Sequence, residues 1–102
     1  MPLFAVTYSH PDDAGWQAQL MAHVAYLQDL LREGVLRASG PLPDRPVKAA
    51  LLIIAAADRA ELDAIVARDP FAEHGLIADM TVEQWDPIFG VFNADSSMPQ
   101  SV

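Results

Sequence analysis

Between Val47 and Ala57 the chain reads VKAALLIIAAA. Apolar residues run almost without alternation, and such a run points to a strand buried on both faces, although a buried helix has the same pattern. A chain containing it must supply cover for two faces. That demand limits the possible architectures more than any other feature of the sequence. With 102 residues, of which 52% are hydrophobic, the chain has the material for one domain with a core.

The flanking segments fall into regular elements. Phe4, Val6 and Tyr8 alternate with Leu3, Ala5 and Thr7, a strand pattern. SHPDDAG breaks it, with Asp12 or Asp13 placed to cap a helix. Trp16, Leu20, Val24, Leu27 and Leu31 recur at helical spacing, and Gly34 stands where a helix ends. VLRASGPLP reads as a short strand closing in a Gly-Pro turn. After the central run, Asp58 with Glu61 resembles a capping box opening a helix to about Arg68. LIADMTVEQW alternates as a strand, with Leu76, Ala78, Met80 and Val82 on one face, and IFGVF reads as a final short one. The order is β-α-β-β-α-β, the ferredoxin-like split βαβ arrangement of an α+β domain. Residues 1–92 form the domain, and 93–102 read as a flexible C-terminal tail. Two helices cover one face of such a sheet. The other face of the apolar central strand then calls for a partner, most simply a second copy in a homodimer.

Composition removes several classes of function. There are no cysteines, so disulfides, thiolate nucleophiles and Cys-ligated metal centres are ruled out. The formal net charge is −8, and the six basic residues are scattered, which argues against nucleic acid as partner. The N-terminus lacks the layout of a signal peptide, and no apolar run could span a bilayer, so the expectation is a cytoplasmic protein that does not bind membranes. His10, Asp12 and Asp13 have no metal-ligand spacing, and a capped turn explains them better; no metal and no cofactor are expected.

Two ionisable residues stand out. His23 lies three after Leu20 and four before Leu27, on the apolar stripe of the first helix. Asp69 lies four after Ile65, at the end of the second helix. A carboxylate there opposes the helix dipole, so it calls for an explanation. Paired with His23, it would fix the imidazole tautomer and leave a general acid/base. Alternatively, His23 is satisfied by the backbone and Asp69 by amides of the Asp-Pro turn. Trp16, Trp85, Tyr26 and Phe71 are candidates for the walls of an apolar pocket, with core or interface packing as the alternative. His74 in FAEHG reads as a loop residue that faces solvent or rims the pocket. Ser39 in SGP lacks the context of a nucleophile elbow.

HVAYL from His23 to Leu27, ASGPL from Ala38 to Leu42 and ARDPFAEHGL from Ala67 to Leu76 occur in that order over most of the chain. In this it resembles the YCII-related (YciI-like) family. The resemblance implies a dimeric α+β barrel of ferredoxin-like subunits. It also implies an active site on His23 and Asp69, with Ser39, Gly40 and Pro41 lining the same pocket. Some relatives carry Arg three residues before the histidine; here Leu20 stands there. One activity among relatives is dehydrohalogenation of a chlorinated hydroxymuconate, a lyase reaction. The expected function is a small cofactor-independent enzyme, lyase-like or hydrolase-like, acting on a small organic metabolite. The alternatives are a non-catalytic ligand-binding or accessory module and, on the same barrel, a cofactorless oxygenase.

Overall fold

The computed structural model describes residues 1–99. The elements follow the order β1 (Leu3–Ser9), α1 (Asp13–Arg32), β2 (Leu36–Pro41), β3 (Ala49–Ala55), α2 (Arg59–Ala67), α3 (Pro70–Glu73) and β4 (Ala78–Trp85). A short 3-10 turn, Asn93–Asp95, comes last. The four strands form one sheet in the order β2-β3-β1-β4, with every neighbouring pair antiparallel. This is the ferredoxin-like topology.

Local chemistry fixes the helix ends. Asp12 caps α1 by accepting from the Gly15 amide at 3.0 Å, and Asp58 caps α2 by accepting from the Glu61 amide at 2.9 Å. Each such cap stabilises its helix by about 1 kcal/mol. At the other end of α1, Gly34 has φ +75°, and the amides of Gly34 and Val35 donate to Leu31 and Leu30. These two bonds make a Schellman motif, which needs a residue free of a Cβ penalty at Gly34.

The core lies between the sheet and its helices. Phe4, Val6 and Tyr8 of β1 and Leu52 and Ile54 of β3 meet Leu30, Leu62 and Ile65 there, all buried. On α1 the buried line runs through His23 and Leu30, with Tyr26 and Leu27 partly buried beside it. Val24 and Leu31 sit at its edge and are exposed.

Three local readings differ from the sequence expectation. SGP does not form a turn: Ser39, Gly40 and Pro41 pair with Leu52, Leu51 and Ala50 inside β2. Proline is tolerated because β2 is an edge strand, where a missing N–H costs no ladder bond. The alternation of β4 breaks at Asp79, whose φ of +50° marks a bulge where the register shifts between Thr7 and Ser9. Met80 is therefore exposed. IFGVF is not a strand; Phe89 to Phe92 form bends and a turn, and Phe92 packs on Leu3, Ile53 and Ala55. The second sheet face is thus partly covered by the chain's own C-terminal segment rather than left bare.

Residues 93–99, expected as part of a tail, are tied to the domain. Asp95 accepts from the Arg37 guanidinium, with one contact of 2.9 Å, and Asp86 accepts from the amide and hydroxyl of Ser97. The last three residues of that tail lie outside the described residues. Among the described residues no helix is long and apolar enough to cross a membrane.

Candidate active site

Helix α2 stops at Ala67, with Arg68 as its cap residue. Asp69 has extended backbone and caps the next helix, α3, with Pro70 in its first turn. This corrects the sequence reading of Asp69 as a residue opposing a dipole. A carboxylate belongs at a helix N-terminus, and proline suits the first helical position. The side chain accepts from the Phe71 amide at 2.9 Å.

The same carboxylate meets His23. Nδ1 of His23 lies 2.9 Å from Oδ1 and 2.8 Å from Oδ2 of Asp69. A carboxylate only accepts, so Nδ1 carries the hydrogen and donates it. His23 and Asp69 are 9% and 3% exposed, so little water competes for the pair. The local turn bond and the ionisable pair, posed as alternatives by the sequence, are both formed by one side chain. Phe71 stacks on the imidazole, centroids 4.0 Å apart and planes 15° apart. The ring is held on its Nδ1 edge and on one face. Nε2 is left as the nitrogen able to meet something else.

His23 borders a cavity of about 620 Å³. Trp16, Leu20, His23 and Val24 of α1 form one wall, and Phe71 adds the stacked ring beside His23. Ser39, Gly40 and Pro41 line it from the end of β2, and the β2–β3 connection brings Arg45 and Lys48 to it. Leu20 contributes an apolar surface. The cations at this cavity come from the other side. Lys48 is ion-paired with Asp13 and lies 4.8 Å from the centroid of the Trp16 ring.

Tyr26 does not line this cavity. Three residues on from His23, it turns toward α2, and its hydroxyl donates to the carbonyl of Ile65 at 2.7 Å. Its role is to tie the two helices together. His74 is exposed at the end of α3 and also lies off the cavity. Trp85 sits at the C-terminal segment, edge-on to Phe92. Among the described residues no group of three or more His, Asp or Glu could hold a metal ion.

Two residues near the site were not singled out as members of it by sequence reasoning. His10 lines the cavity. Burial, reinforced by the neighbouring His23, holds its imidazole below the ordinary value, against the opposing effects of the Leu76 carbonyl and Asp69. Tyr8 has an enclosed hydroxyl with no partner among the described residues. Burial first, and then the charge of Asp69, hold that phenol strongly in its protonated form. The signal for both was the parity of β1: Tyr8 and His10 continue the core-facing series of Phe4 and Val6.

Comparisons with known proteins agree with this picture. The 5-chloro-2-hydroxyhydroquinone dehydrochlorinase from Burkholderia phenoliruptrix AC1100, solved in complex with 2,5-dihydroxybenzoquinone, is similar in structure. Its TM-score is 0.71 at 26% identity, covering 82% of this chain and 93% of that one. MtbAldR shares the fold at a TM-score of 0.54 and 16% identity, over 89% of this chain and 56% of that one. A dimeric ferredoxin-like protein of unknown function from Jannaschia sp. CCS1 aligns at a TM-score of 0.48 and 19% identity, over 84% and 99%. Comparison with curated protein sequences gives no match. The YCII-related domain model matches residues 1–86, nearly the whole of the sheet and helices just described, and the chain belongs to that family.

Proposed function

We propose that the protein is a cofactor-independent lyase that moves protons on a small hydroxylated ring compound, with His23 as the acid/base and Asp69 as its orienting partner. The observation that carries this reading is the His23–Asp69 contact beside an apolar cavity. Asp69 holds the proton on Nδ1, so the lone pair of a neutral imidazole sits on Nε2, on the ring edge away from Asp69. Asp69 also offsets the positive charge that forms when Nε2 takes a proton. Trp16 and Phe71 supply aromatic surface suited to a flat ring.

Likeness to the dehydrochlorinase supports a specific reaction class. Loss of HCl from a chlorinated hydroxyhydroquinone needs two proton movements. Nε2 of His23 takes the proton of one ring hydroxyl, and that proton is delivered to the carbon bearing chlorine. A second hydroxyl then gives up its proton while chloride leaves with the C–Cl electron pair. The products are a hydroxyquinone, chloride and a proton, with no change in the number of electrons.

The working unit in this reading is a homodimer. An apolar groove of about 190 Å³, lined by residues that include Gly40, Leu42, Leu51 and Ile53, remains beside the part of the second sheet face that Phe92 covers. A second copy would bury it. A single-chain mass in sedimentation would contradict that assembly.

The test of the chemistry is chloride release from 5-chloro-2-hydroxyhydroquinone. Wild type should release chloride. His23→Gln should lose activity by about a hundredfold or more, the range for removing a general acid/base. Full activity in that variant would overturn the mechanism. Binding of the compound with no chloride release by wild type would favour a ligand-binding module instead.

A further inference from the structure

The site described so far uses one histidine, yet the same cavity has a second. His10 follows β1 and is 4% exposed. Its backbone amide donates to the carbonyl of Lys48 at 2.7 Å, which continues the β1–β3 ladder by one residue. The ring is pinned on three sides. Nδ1 lies 2.7 Å from the carbonyl of Leu76. Tyr8 meets it edge-on at 5.0 Å between centroids, and Phe71 lies tilted against it at 4.6 Å.

The carbonyl of Leu76 can only accept, so Nδ1 of His10 carries the hydrogen. Nε2 of the neutral ring is then a lone pair. It has no partner among the described residues. The only fully enclosed side-chain polar atom left unpaired there is the Tyr8 hydroxyl. Nε2 of His10 therefore reaches open space, and the open space bordered by His10 is the cavity. His10 and His23 lie against the same ring, that of Phe71, at 4.6 Å and 4.0 Å. Two imidazoles with committed Nδ1 atoms thus offer two Nε2 atoms to one cavity.

We propose that His10 is a substrate-contacting residue, an obligate acceptor that holds a second hydroxyl of the ring compound while His23 acts on the first. This rests on reading the cavity as a substrate site. A neutral imidazole with its hydrogen already committed cannot donate through Nε2. It selects a ligand that presents an O–H and disfavours a ketone, an ether or a phenolate at that position. Leaving such an acceptor unpaired in a closed complex is costly, which is how a site rejects an analogue lacking the donor. Burial beside His23 keeps the ring neutral and so in its accepting state. The substrate class narrows to dihydroxy or trihydroxy aromatic rings bound as neutral phenols.

The test uses hydroquinone and 1,4-dimethoxybenzene, which share a ring but differ in O–H groups, and two substitutions. In His10→Asn the side-chain amide can still donate to Leu76 while the Nε2 acceptor is gone. His10→Gln reaches as far as Nε2 but gives up the Leu76 bond. Hydroquinone should bind wild type and move the 15N resonance of His10 Nε2 toward that of a hydrogen-bonded nitrogen. His10→Asn should weaken hydroquinone about tenfold, the equivalent of one hydrogen bond, with little change in Tm. Binding of 1,4-dimethoxybenzene should be the same in wild type and His10→Asn. Unchanged hydroquinone binding in His10→Asn would overturn the proposal. So would equal losses for both probes, a binding loss confined to His10→Gln, or no binding of hydroquinone by wild type. If His10→Asn does not fold, the 15N shift in wild type decides alone. None of these readings needs turnover. Binding that depends on His10 without chloride release would sink the lyase reading and leave this one standing, and chloride release without dependence on His10 would do the reverse.

Discussion

The two faces of the sheet bury their residues on different terms. On the second face Leu3, Ile53 and Ala55 are apolar, and Phe92 covers them. Nothing there asks for a partner beyond more apolar surface. On the helix face the layer of Val6, Leu52 and Leu62 gives way at one end to His10, His23 and Asp69, all buried. Burial of such groups is costly unless each is hydrogen-bonded. Each of the three is, yet each imidazole retains one uncommitted nitrogen. The contrast separates polarity that the fold uses up from polarity the fold leaves available. The first kind stabilises a structure, and the second marks a place where something else binds.

The largest expected effect that would sharpen this contrast lies in the core of the helix face. Leu62→Ala removes a side chain with 0% exposure, and should cost about 2–5 kcal/mol in denaturant unfolding. Gly15→Ala comes next. A Cβ there would lie 2.5 Å from Cδ2 of Leu76, whose backbone carbonyl holds His10. The variant should lose about 1–3 kcal/mol of stability and weaken hydroquinone binding as well. Stability and binding both unchanged would show that the start of α1 does not position the site. Phe92→Ala acts on the other face only. It should cost about 1–2 kcal/mol by apolar area and leave ligand binding at the helix face unchanged. A binding loss in Phe92→Ala would break the separation of the two faces.

The smallest effect is a pH dependence of stability. Burial lowers the folded value of His10 below 6.5, its ordinary value. As pH falls through about 6.5 the unfolded chain takes up a proton that the folded chain does not, so stability declines between about pH 7 and pH 5. Above that window the contribution is fully present. His10→Asn should flatten the decline in Tm over the window, and an unaltered slope would mean that another group sets it.

Much of this was legible in the sequence because pattern and physics coincided. The double-sided burial of Ala49–Ala55, the caps at Asp12 and Asp58 and the glycine at Gly34 each reflect a local rule. His23 was legible because a polar residue on an apolar stripe must meet something. Asp69 meets His23 as the sequence suggested, but it caps a following helix rather than ending the one before it. Four residues of helix, Pro70 to Glu73, are too few to show a period, so its capping role stayed hidden. The same limit misplaced SGP, since no local signal distinguishes an edge strand that tolerates proline from a turn. Tyr26 was misassigned because a period cannot tell the flank of a stripe that faces a cavity from the flank that faces α2. His10 was read as a turn residue. Strand parity extends one residue beyond where the apolar pattern stops, and only the pairing of its amide with Lys48 shows it.

The most direct test of the central claim is a double-mutant cycle on chloride release, with His23→Gln, Asp69→Asn and the two combined. If Asp69 acts only through His23, the double variant should be no slower than His23→Gln alone, since groups that work as a unit are strongly non-additive. Losses that multiply would show that Asp69 and His23 act independently, and the pair would then be a structural contact beside the cavity rather than its acid/base.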